Sequence, residues 1–323
     1  MPLAILNSAS EWTGHYRPAH RDTVVTIGNF DGVHLGHQKI LHEVLEEARA
    51  AGLAATATVL TFYPHPSRVL RPADAPCLLA TLPQRLAAFE AAGMHAALVL
   101  RFDAELAQVT AEDFVRLYLV ETLRARAVMV GDNFRFGNRG AGDVKLLETL
   151  GRRWGYKVHV VQPVVVDGVV VSSSAIREAL GQGRVEAAAK FLGRPFALAG
   201  EIQPGTGQGR KLIVPTLNLA TEQECLPKYG VYATETVVGG KTLRSATNIG
   251  VRPTFNGIRL AIESHLFDFS EMLTSGPMEI RFHARLRDEQ KFPSPEALRA
   301  QVLADIERAK EYFRIKSTTI RAS

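Results

Sequence analysis

The chain has 323 residues, of which 46% are hydrophobic and 22% are charged. This length allows two domains, and the ordinary balance of apolar and charged residues excludes disorder as the default state. The net charge of +5 is mild, and the basic residues are spread along the chain. Arginines that bind phosphates on small anionic substrates explain this bias as well as a nucleic-acid surface would, so the charge by itself decides little. We expect no nucleic-acid partner.

Cysteine content and hydropathy bear on the compartment. The two cysteines, Cys77 and Cys225, lie far apart in the sequence, which favours a reducing compartment and argues against a disulfide framework. The chain starts without a basic and then apolar leader, and its apolar runs fall short of the roughly 18 residues that cross a bilayer. We therefore expect a cytoplasmic protein without a membrane partner, either a monomer or a weak homo-oligomer.

Apolar segments and helical segments alternate in the first half of the chain. The apolar runs are short and rich in branched residues: Val24–Ile27, Ala55–Leu60, Ala96–Leu100, Ala127–Val130 and Val158–Val161. The segments between them show helical spacing: His37–Ala51, Pro83–Ala92, Ala111–Thr122 and Val144–Leu150. This alternation predicts βαβ units, in which helices cover both faces of a parallel sheet. Ligands of such sheets bind beyond the carboxyl ends of the strands.

The pattern changes after residue 185, where strands follow one another. They are predicted at Phe196–Ile202, Leu212–Leu219, Gly230–Val238, Thr242–Ile249, Leu260–Phe267 and Met278–Leu286. Gly239 and Gly240 between two of these strands are a hairpin signal. A last helix is predicted from the N-cap Ser294 through Phe313. Strands closed by one helix favour a small barrel or sandwich, so we divide the chain into domains at 1–185 and 186–323.

The segment after the first strand, Gly-Asn-Phe-Asp-Gly-Val-His-Leu-Gly-His at 28–37, is the most informative one. Its three glycines let the backbone approach a ligand closely or adopt a positive φ. The helix N-terminus that follows offers N–H groups to a phosphate, and His34 and His37 can donate hydrogen bonds to the same phosphate. Two other interpretations stay open at this point: half of a zinc site, or a glycine-rich turn with incidental histidines.

Two further clusters follow later strands. The loop at 131–143 is long, polar and glycine-rich, and it lies where binding loops of parallel sheets belong. Its Asn133 can hydrogen-bond a nucleotide, while Phe134 and Phe136 can fill the core or stack on a flat ring. The run Ser172–Arg177 ends a strand and opens a helix, so its hydroxyls, helix dipole and arginine can bind an anion. Its serines can also serve as a helix N-cap alone.

These elements together resemble a known family. His34-Leu35-Gly36-His37 and Ser-Ser-Ser-Ala-Ile-Arg at 172–177 are similar to the two signatures of the HxGH nucleotidyltransferase superfamily. Phe-Tyr-Pro-His-Pro at 62–66 and Gly-Asp-Asn-Phe-Arg-Phe-Gly at 131–137 complete a set that resembles the N-terminal half of bacterial bifunctional riboflavin kinase/FAD synthetases. The resemblance covers nearly all of residues 20–185.

The resemblance implies adenylyl transfer from ATP to FMN, which gives FAD and pyrophosphate. It makes His34 and His37 the catalytic residues that stabilise charge at the α-phosphate. It also implies a set of substrate-binding residues: Gly28, Asn29, Phe30, Asp31, Gly36, Asn133, Phe134, Ser173, Ser174 and Arg177. The serines and the arginine of that set would hold the departing pyrophosphate. Asp31 is a candidate either for structure or for Mg²⁺ positioning.

The β-rich half carries oxygen ligands at strand spacing. Thr216 and Asn218 are two residues apart on an extended segment, so their side chains project to the same side and can share one ion. Mg²⁺ favours such ligands together with phosphates and water. Glu263 can accept a proton from a substrate hydroxyl, although a lone glutamate in a strand usually faces solvent.

This half resembles the riboflavin kinase module. Pro215-Thr216-Leu217-Asn218 is similar to its Pro-Thr-Ala-Asn signature, and further matches lie at 230–232, 248–255 and 286–292. The resemblance implies that Thr216 and Asn218 bind Mg²⁺ with ATP, and that Glu263 activates the ribityl hydroxyl of riboflavin. The expected fold is thus α/β: a Rossmann-like, doubly wound parallel sheet, then a small antiparallel β-barrel capped by a helix.

The kinase signature is altered at four positions: Pro204 replaces His, and Ile213, Val214 and Leu217 replace Gly, Phe and Ala. The main hypothesis is a bifunctional enzyme that converts riboflavin to FMN and FMN to FAD. One alternative keeps the FMN adenylyltransferase active beside a weak or silent kinase module. Another is a flavin- or nucleotide-binding regulator. Arg177 and the histidine pair argue against the regulator, because simple binding does not need them.

Overall fold

A computed structural model describes residues 2–16, 22–51, 55–203, 216–254, 257–271 and 273–321. The chain divides into two compact units, Met1–Ser173 and Ser174–Ser323. Within the described ranges, no helix is long and apolar enough to cross a membrane. The predicted fold class, with a parallel sheet first and an antiparallel barrel second, is confirmed.

The first unit is built on a six-stranded parallel sheet. Its strands are β1 (Ala4–Leu6), β2 (Thr23–Ile27), β3 (Thr56–Tyr63), β4 (Ala96–Arg101), β5 (Ala125–Gly131) and β6 (Lys157–Val161). Each neighbouring pair is parallel, in the order β1-β4-β3-β2-β5-β6. The winding reverses at β2, because β3 and β4 lie on one side of it and β5 on the other. The carboxyl ends of β2 and β5 therefore frame the crevice where such sheets bind ligands.

Helices cover both faces of this sheet. They are α1 (Ala9–His15), α2 (Leu35–Ala50), α3 (Pro66–Leu70), α4 (Leu82–Ala91), α5 (Ala111–Phe114) and α6 (Val144–Trp154). Two separate apolar clusters fill the space between the helices and the two faces, which is why all five residues of β2 are buried. The helix predicted at Ala111–Thr122 differs in type: it is α-helical only to Phe114 and continues as a π-helix over Val115–Thr122.

A short hairpin, β7 (Val165–Val166) and β8 (Val169–Val170), follows the sheet. The second unit then starts with two helices, α7 (Ser173–Gly181) and α8 (Val185–Leu192). Six strands follow: β9 (Phe196–Gln203), β10 (Leu217–Ala220), β11 (Gly230–Val238), β12 (Lys241–Thr254), β13 (Gly257–Leu266) and β14 (Pro277–Asp288). They close an antiparallel barrel in the order β10-β13-β12-β11-β14-β9. The last helix, α9 (Pro295–Arg321), runs past the predicted end at Phe313 and packs its apolar side against the barrel wall.

Two local predictions in the barrel are confirmed. Gly239 and Gly240 connect β11 to β12 with φ values of 56° and 73°, a left-handed pair that a tight hairpin requires. Ser294 caps α9, since its hydroxyl accepts the N–H of Ala297 at 3.2 Å. The first part of the strand predicted at Leu212–Leu219 lies outside the described residues.

The barrel interior contains a ring of hydroxyl groups among its apolar residues. Five fully buried side chains form it: Thr234, Ser245, Thr236, Ser264 and Thr247. Five oxygen–oxygen distances of 2.8, 2.9, 2.8, 3.0 and 2.7 Å join each member to the next and the last to the first. A hydroxyl has one donor, so every member of such a ring can donate once and accept once. The ring thereby satisfies polar groups that would otherwise be costly to bury.

Candidate active sites

A cavity of about 740 Å³ lies at the carboxyl ends of β2 and β5. Its volume is within the range of roughly 300–1,000 Å³ that small-molecule sites occupy. The predicted residues that line it are Gly28, Asn29, Phe30, His34, Gly36, His37, Asn133, Phe134 and Ser173. The structure thus brings most of the predicted adenylyl-transfer residues of the first unit together around one space.

The turn between β2 and α2 has a strained backbone. Phe30 and Val33 have positive φ values of 51° and 42°, a left-handed conformation that costs a non-glycine residue about 1–3 kcal/mol. Both side chains are buried, and the ring of Phe30 lies 5.0 Å from that of His37 and 5.4 Å from that of Phe89 on α4. Packing of these side chains offsets the strain, so the turn is held in a shape that its sequence alone does not favour.

The two histidines stack at the start of α2. Their ring centroids are 3.7 Å apart and the rings are inclined by 19°. His34 is the N-cap, and its Nδ1 accepts the backbone N–H of His37 at 3.4 Å. In the neutral ring this bond assigns the proton of His34 to Nε2. His34 can therefore donate a hydrogen bond to a ligand from its Nε2 atom.

His37 is held in its neutral form. Burial, and then the nearby charge of His34, lower the pKa of His37 well below its usual value of 6.5. Its Nδ1 atom is buried and has no hydrogen-bond partner among the described residues. The Nε2 atom is then the nitrogen of His37 that is left to meet a ligand. A bound phosphate would favour protonation of this ring, since a nearby negative charge raises a histidine pKa.

Asp31 is buried and holds a neighbouring loop. Its carboxylate accepts the backbone N–H groups of Leu79 at 3.0 Å and of Ala80 at 3.2 Å, immediately before α4. Its backbone carbonyl accepts the hydroxyl of Ser173 at 2.9 Å. Of the two roles considered for Asp31, these bonds favour the structural one.

The loop after β5 lines the cavity with two aromatic residues, one of which is also part of the apolar core. Phe134 and Phe136 stack with centroids 5.4 Å apart and an inclination of 14°. Phe136 is 7% exposed and also contacts Phe114, so it serves as core, whereas Phe134 is half-buried. Gly137 has a φ of 72°, and a Cβ atom there would lie 2.5 Å from the Cα of Ala111. Only glycine therefore allows this loop to pack so closely on α5.

The serine and arginine cluster is divided between the two units. Ser172 and Ser173 line the cavity of the first unit. Ser174 and Arg177 lie in the second unit on the first turns of α7, where Ser174 is exposed and Arg177 half-buried. The role of Ser174 and Arg177 in holding pyrophosphate stays a prediction.

A second cavity, of about 330 Å³, lies in the second unit between the outer wall of the barrel and α9. Thr216, Asn248 and Glu263 line it. Glu263 is directly opposite Asn218 on β10 and Asn248 on β12, so these three side chains share the outer face of the wall. The structure therefore places Asn218 beside Glu263, although Asn218 is not among the residues that line the cavity.

The altered signature positions fall in two places. Pro204, Ile213 and Val214 lie outside the described residues. Leu217 pairs with Ser264, a member of the interior hydroxyl ring, so its side chain projects to the opposite side from Thr216 and Asn218. The bulk of Leu217 is therefore not inserted between the two predicted Mg²⁺ ligands.

Sequence reasoning missed two arginines near the cavities, the half-buried Arg287 and the buried Arg85. Arg287 on β14 binds Asp305 on α9 through two nitrogens, Nε at 2.9 Å and Nη2 at 2.7 Å from Oδ2, and both residues line the second cavity. Arg85 on α4 is 3% exposed and lies beneath the turn of the first cavity. The sequence does carry one sign that Arg85 is buried. It lies one helical turn before Phe89, on the face of α4 that packs inward.

Fold and sites together define a class: a nucleotidyltransferase-type α/β domain followed, in the same chain, by a kinase-type β-barrel domain. A family model described as FAD synthetase matches residues 16–175, and one described as riboflavin kinase matches residues 192–313. The chain belongs to the family of bifunctional riboflavin kinase/FMN adenylyltransferases, which are transferases.

Similar proteins match over nearly their whole length. The bifunctional riboflavin kinase/FMN adenylyltransferase of Escherichia coli (strain K12) is 38% identical, over 90% of this chain and 92% of that protein. The protein of the same description from Pseudomonas fluorescens is 39% identical, over 91% and 94% of the two chains. A solved structure described as a macrolide-efflux protein from Streptococcus pneumoniae has a TM-score of 0.83 at 27% identity, covering 94% of this chain and 97% of that one.

Proposed function

We propose that this chain makes FAD from riboflavin in two steps, with one ATP consumed in each. The domain at 186–323 phosphorylates riboflavin to FMN, and the domain at 1–185 transfers the adenylyl group of ATP to FMN. The observation that carries the proposal is the stacked pair His34 and His37 at the switch point of the parallel sheet. The same chain has a second cavity on its barrel, which Glu263 lines. We assign the protein to the cytoplasm, as a monomer or weak homo-oligomer.

In the adenylyl transfer, a phosphate oxygen of FMN attacks the α-phosphorus of ATP. The bond from that phosphorus to the bridging oxygen breaks, and pyrophosphate leaves with the electron pair. Negative charge builds up on the non-bridging oxygens, where the Nε2–H groups of His34 and His37 donate hydrogen bonds. The strained turn and α2 hold both rings in place before the substrate arrives, so little reorganisation is needed during the reaction.

In the phosphorylation, Glu263 accepts the proton of the ribityl 5′-hydroxyl while that oxygen attacks the γ-phosphorus of ATP. The bond from the γ-phosphorus to the bridging oxygen breaks, and ADP leaves. The flavin ring would pack between Val231 and Ala246 on the barrel and Val302 and Ile306 on α9, the apolar part of the cavity wall. A positioned base of this kind typically contributes about 10²–10⁴ in rate.

Mg²⁺ fits the donors that the barrel offers. The hydroxyl of Thr216 and the amide oxygen of Asn218 are hard ligands that suit this ion. In the described ranges, no group of three or more histidine, cysteine or acidic side chains forms a metal cage. We propose that Thr216 and Asn218 would hold Mg²⁺ together with the phosphates of ATP, where the ion would neutralise phosphate charge.

A weak or silent kinase module is the second candidate function. The observation that prompts it is the substitution of the kinase signature at 213, 214 and 217. Against it, Leu217 projects away from the face that carries Asn218 and Glu263. We therefore propose an active kinase domain.

The test is a pair of variants in which each serves as the control of the other. His37→Ala is expected to lower the rate of FAD formation from FMN by about 10²–10³, the usual cost of removing one donor to a developing charge, and to leave riboflavin phosphorylation unchanged. Glu263→Gln is expected to lower the rate of riboflavin phosphorylation and to leave FAD formation from FMN unchanged. Flavins separated by chromatography after single-substrate incubations give both rates. If both variants lost the same activity, or neither lost any, the assignment of the two sites would be wrong.

A further inference from the structure

Arg85 is a buried cation beneath the phosphate-binding turn. Its Nη1 donates to the carbonyl of Asn29 at 2.6 Å and to the hydroxyl of Thr61 at 3.3 Å, and its Nη2 donates to the carbonyl of Phe62 at 3.4 Å. All of these described acceptors are neutral oxygens. Burying a guanidinium is expensive, so its presence beneath this turn and the carboxyl end of β3 calls for a compensating role.

The bond to Asn29 orients one particular peptide unit. The carbonyl of Asn29 and the N–H of Phe30 belong to the same peptide, which is trans, so the two groups point in opposite directions. When the carbonyl is turned toward Arg85, the N–H is turned away from it. This N–H has no acceptor among the described residues, and Phe30 lies on the wall of the cavity.

Charge adds to this orientation. A cation at the carbonyl end polarises the peptide and strengthens its N–H as a donor, as in other chained hydrogen bonds in a low dielectric. Burial lowers the pKa of Arg85, and the charge of Asp31 acts in the opposite direction. Backbone N–H groups that are oriented in advance are effective partners for charge that develops on a phosphate.

We propose that Arg85 is a positioning residue for adenylyl transfer, which acts by fixing the Asn29–Phe30 peptide so that the Phe30 N–H donates to a non-bridging oxygen of the α-phosphate. Arg85 touches no substrate atom itself. The same guanidinium also ties the carboxyl end of β3 to this turn through Phe62. The inference rests on the proposed FMN adenylyltransferase activity.

The experiment compares the wild-type chain with Arg85→Met, Arg85→Lys and a control, Arg49→Met, which removes an exposed arginine from α2. FAD formation is measured with ATP and with each diastereomer of ATP carrying sulfur at one non-bridging α-oxygen. Sulfur weakens a hydrogen bond at that oxygen, so the ratio of the rates with the two diastereomers reports whether a positioned donor is present. Riboflavin phosphorylation by the same chain is measured in parallel.

For Arg85→Met we expect kcat for FAD formation to fall by about 10²-fold with a smaller change in KM. We also expect the diastereomer ratio to move toward one, while riboflavin phosphorylation stays within twofold. Arg85→Lys retains the positive charge but lacks the paired N–H donors of the guanidinium. We expect it to recover part of kcat and part of the wild-type diastereomer ratio. Arg49→Met is expected to match wild type.

Two results would overturn the inference while the wild type still makes FAD. One is an Arg85→Met rate within threefold of wild type, and the other is a lower rate with an unchanged diastereomer ratio, as a purely structural role would give. If Arg85→Met does not fold, the diastereomer ratio is compared between Arg85→Lys and wild type. An unchanged ratio in Arg85→Lys then overturns the inference. A wild type that makes no FAD would instead overturn the proposed function, and this inference with it.

Discussion

The hydroxyl ring inside the barrel leads to a prediction for Ser264→Ala. Ser264 bonds to Thr236 at 2.8 Å and to Thr247 at 3.0 Å. Without it two hydrogen bonds of the ring are lost. The remaining donors keep acceptors, because the hydroxyls of Ser245 and Thr234 also lie 3.1 and 3.3 Å from the backbone carbonyls of Thr234 and Ser245. A hydrogen bond contributes about 0.5–1.5 kcal/mol net, so we expect the loss of two to lower the free energy of unfolding of the barrel by about 1–3 kcal/mol.

The assay must resolve the barrel from the first unit, since a chain with two domains need not unfold in one step. Hydrogen exchange of peptides from β11, β12 and β13 under native conditions reports the opening free energy of the barrel. Thr242→Ala on β12 is the matched control, because Thr242 is exposed and its loss is expected to change stability by less than about 0.5 kcal/mol.

A double variant sharpens the test. Ser264→Ala combined with Thr247→Val removes both partners of one bond, so its cost is expected to be smaller than the sum of the two single costs. The reasoning would be refuted if Ser264→Ala behaved like Thr242→Ala, or if the two single costs added fully.

Three further predictions concern the first domain and the metal. Acidification is expected to destabilise the first domain below pH ~6.5, by up to about 1.4 kcal/mol per pH unit for this residue, because unfolded His37 takes up a proton that folded His37 resists. Denaturation at several pH values measures this, and His37→Asn should flatten the profile. Gly137→Ala is expected to lower the stability of that domain by about 1–3 kcal/mol in the same assay, since its φ is 72° and a Cβ meets α5; an unchanged midpoint would contradict this. Chelation by EDTA is expected to stop both flavin conversions and added Mg²⁺ to restore them; full activity in EDTA would exclude the proposed Mg²⁺ requirement.

The elements that the sequence predicts well are those with a strong local signal. Gly230–Val238 was predicted with the bounds that the structure has, because β-branched and aromatic residues run between clear turn signals. The three-residue strand Ala4–Leu6 and the Pro66–Leu70 helix were missed, since segments so short carry little periodicity. The π-helical continuation at Val115–Thr122 is set by tertiary packing and has no simple pattern in the sequence.

The sites show the same division between local and distant information. The closeness of His34 and His37 follows from their spacing at a helix start, so it could be predicted. The clamp of Arg85 on Asn29 joins residues 56 positions apart, and nothing local reveals it. The direction of Leu217 depends on its register with Ser264, which only the closed barrel defines.

The most direct test of the account is the set of flavins that the purified chain makes from riboflavin, ATP and Mg²⁺. We predict that chromatography shows FMN first and then FAD, and that FMN supplied directly is converted to FAD. FAD from FMN but no FMN from riboflavin would contradict the proposed kinase domain. No conversion of either flavin would contradict the account as a whole.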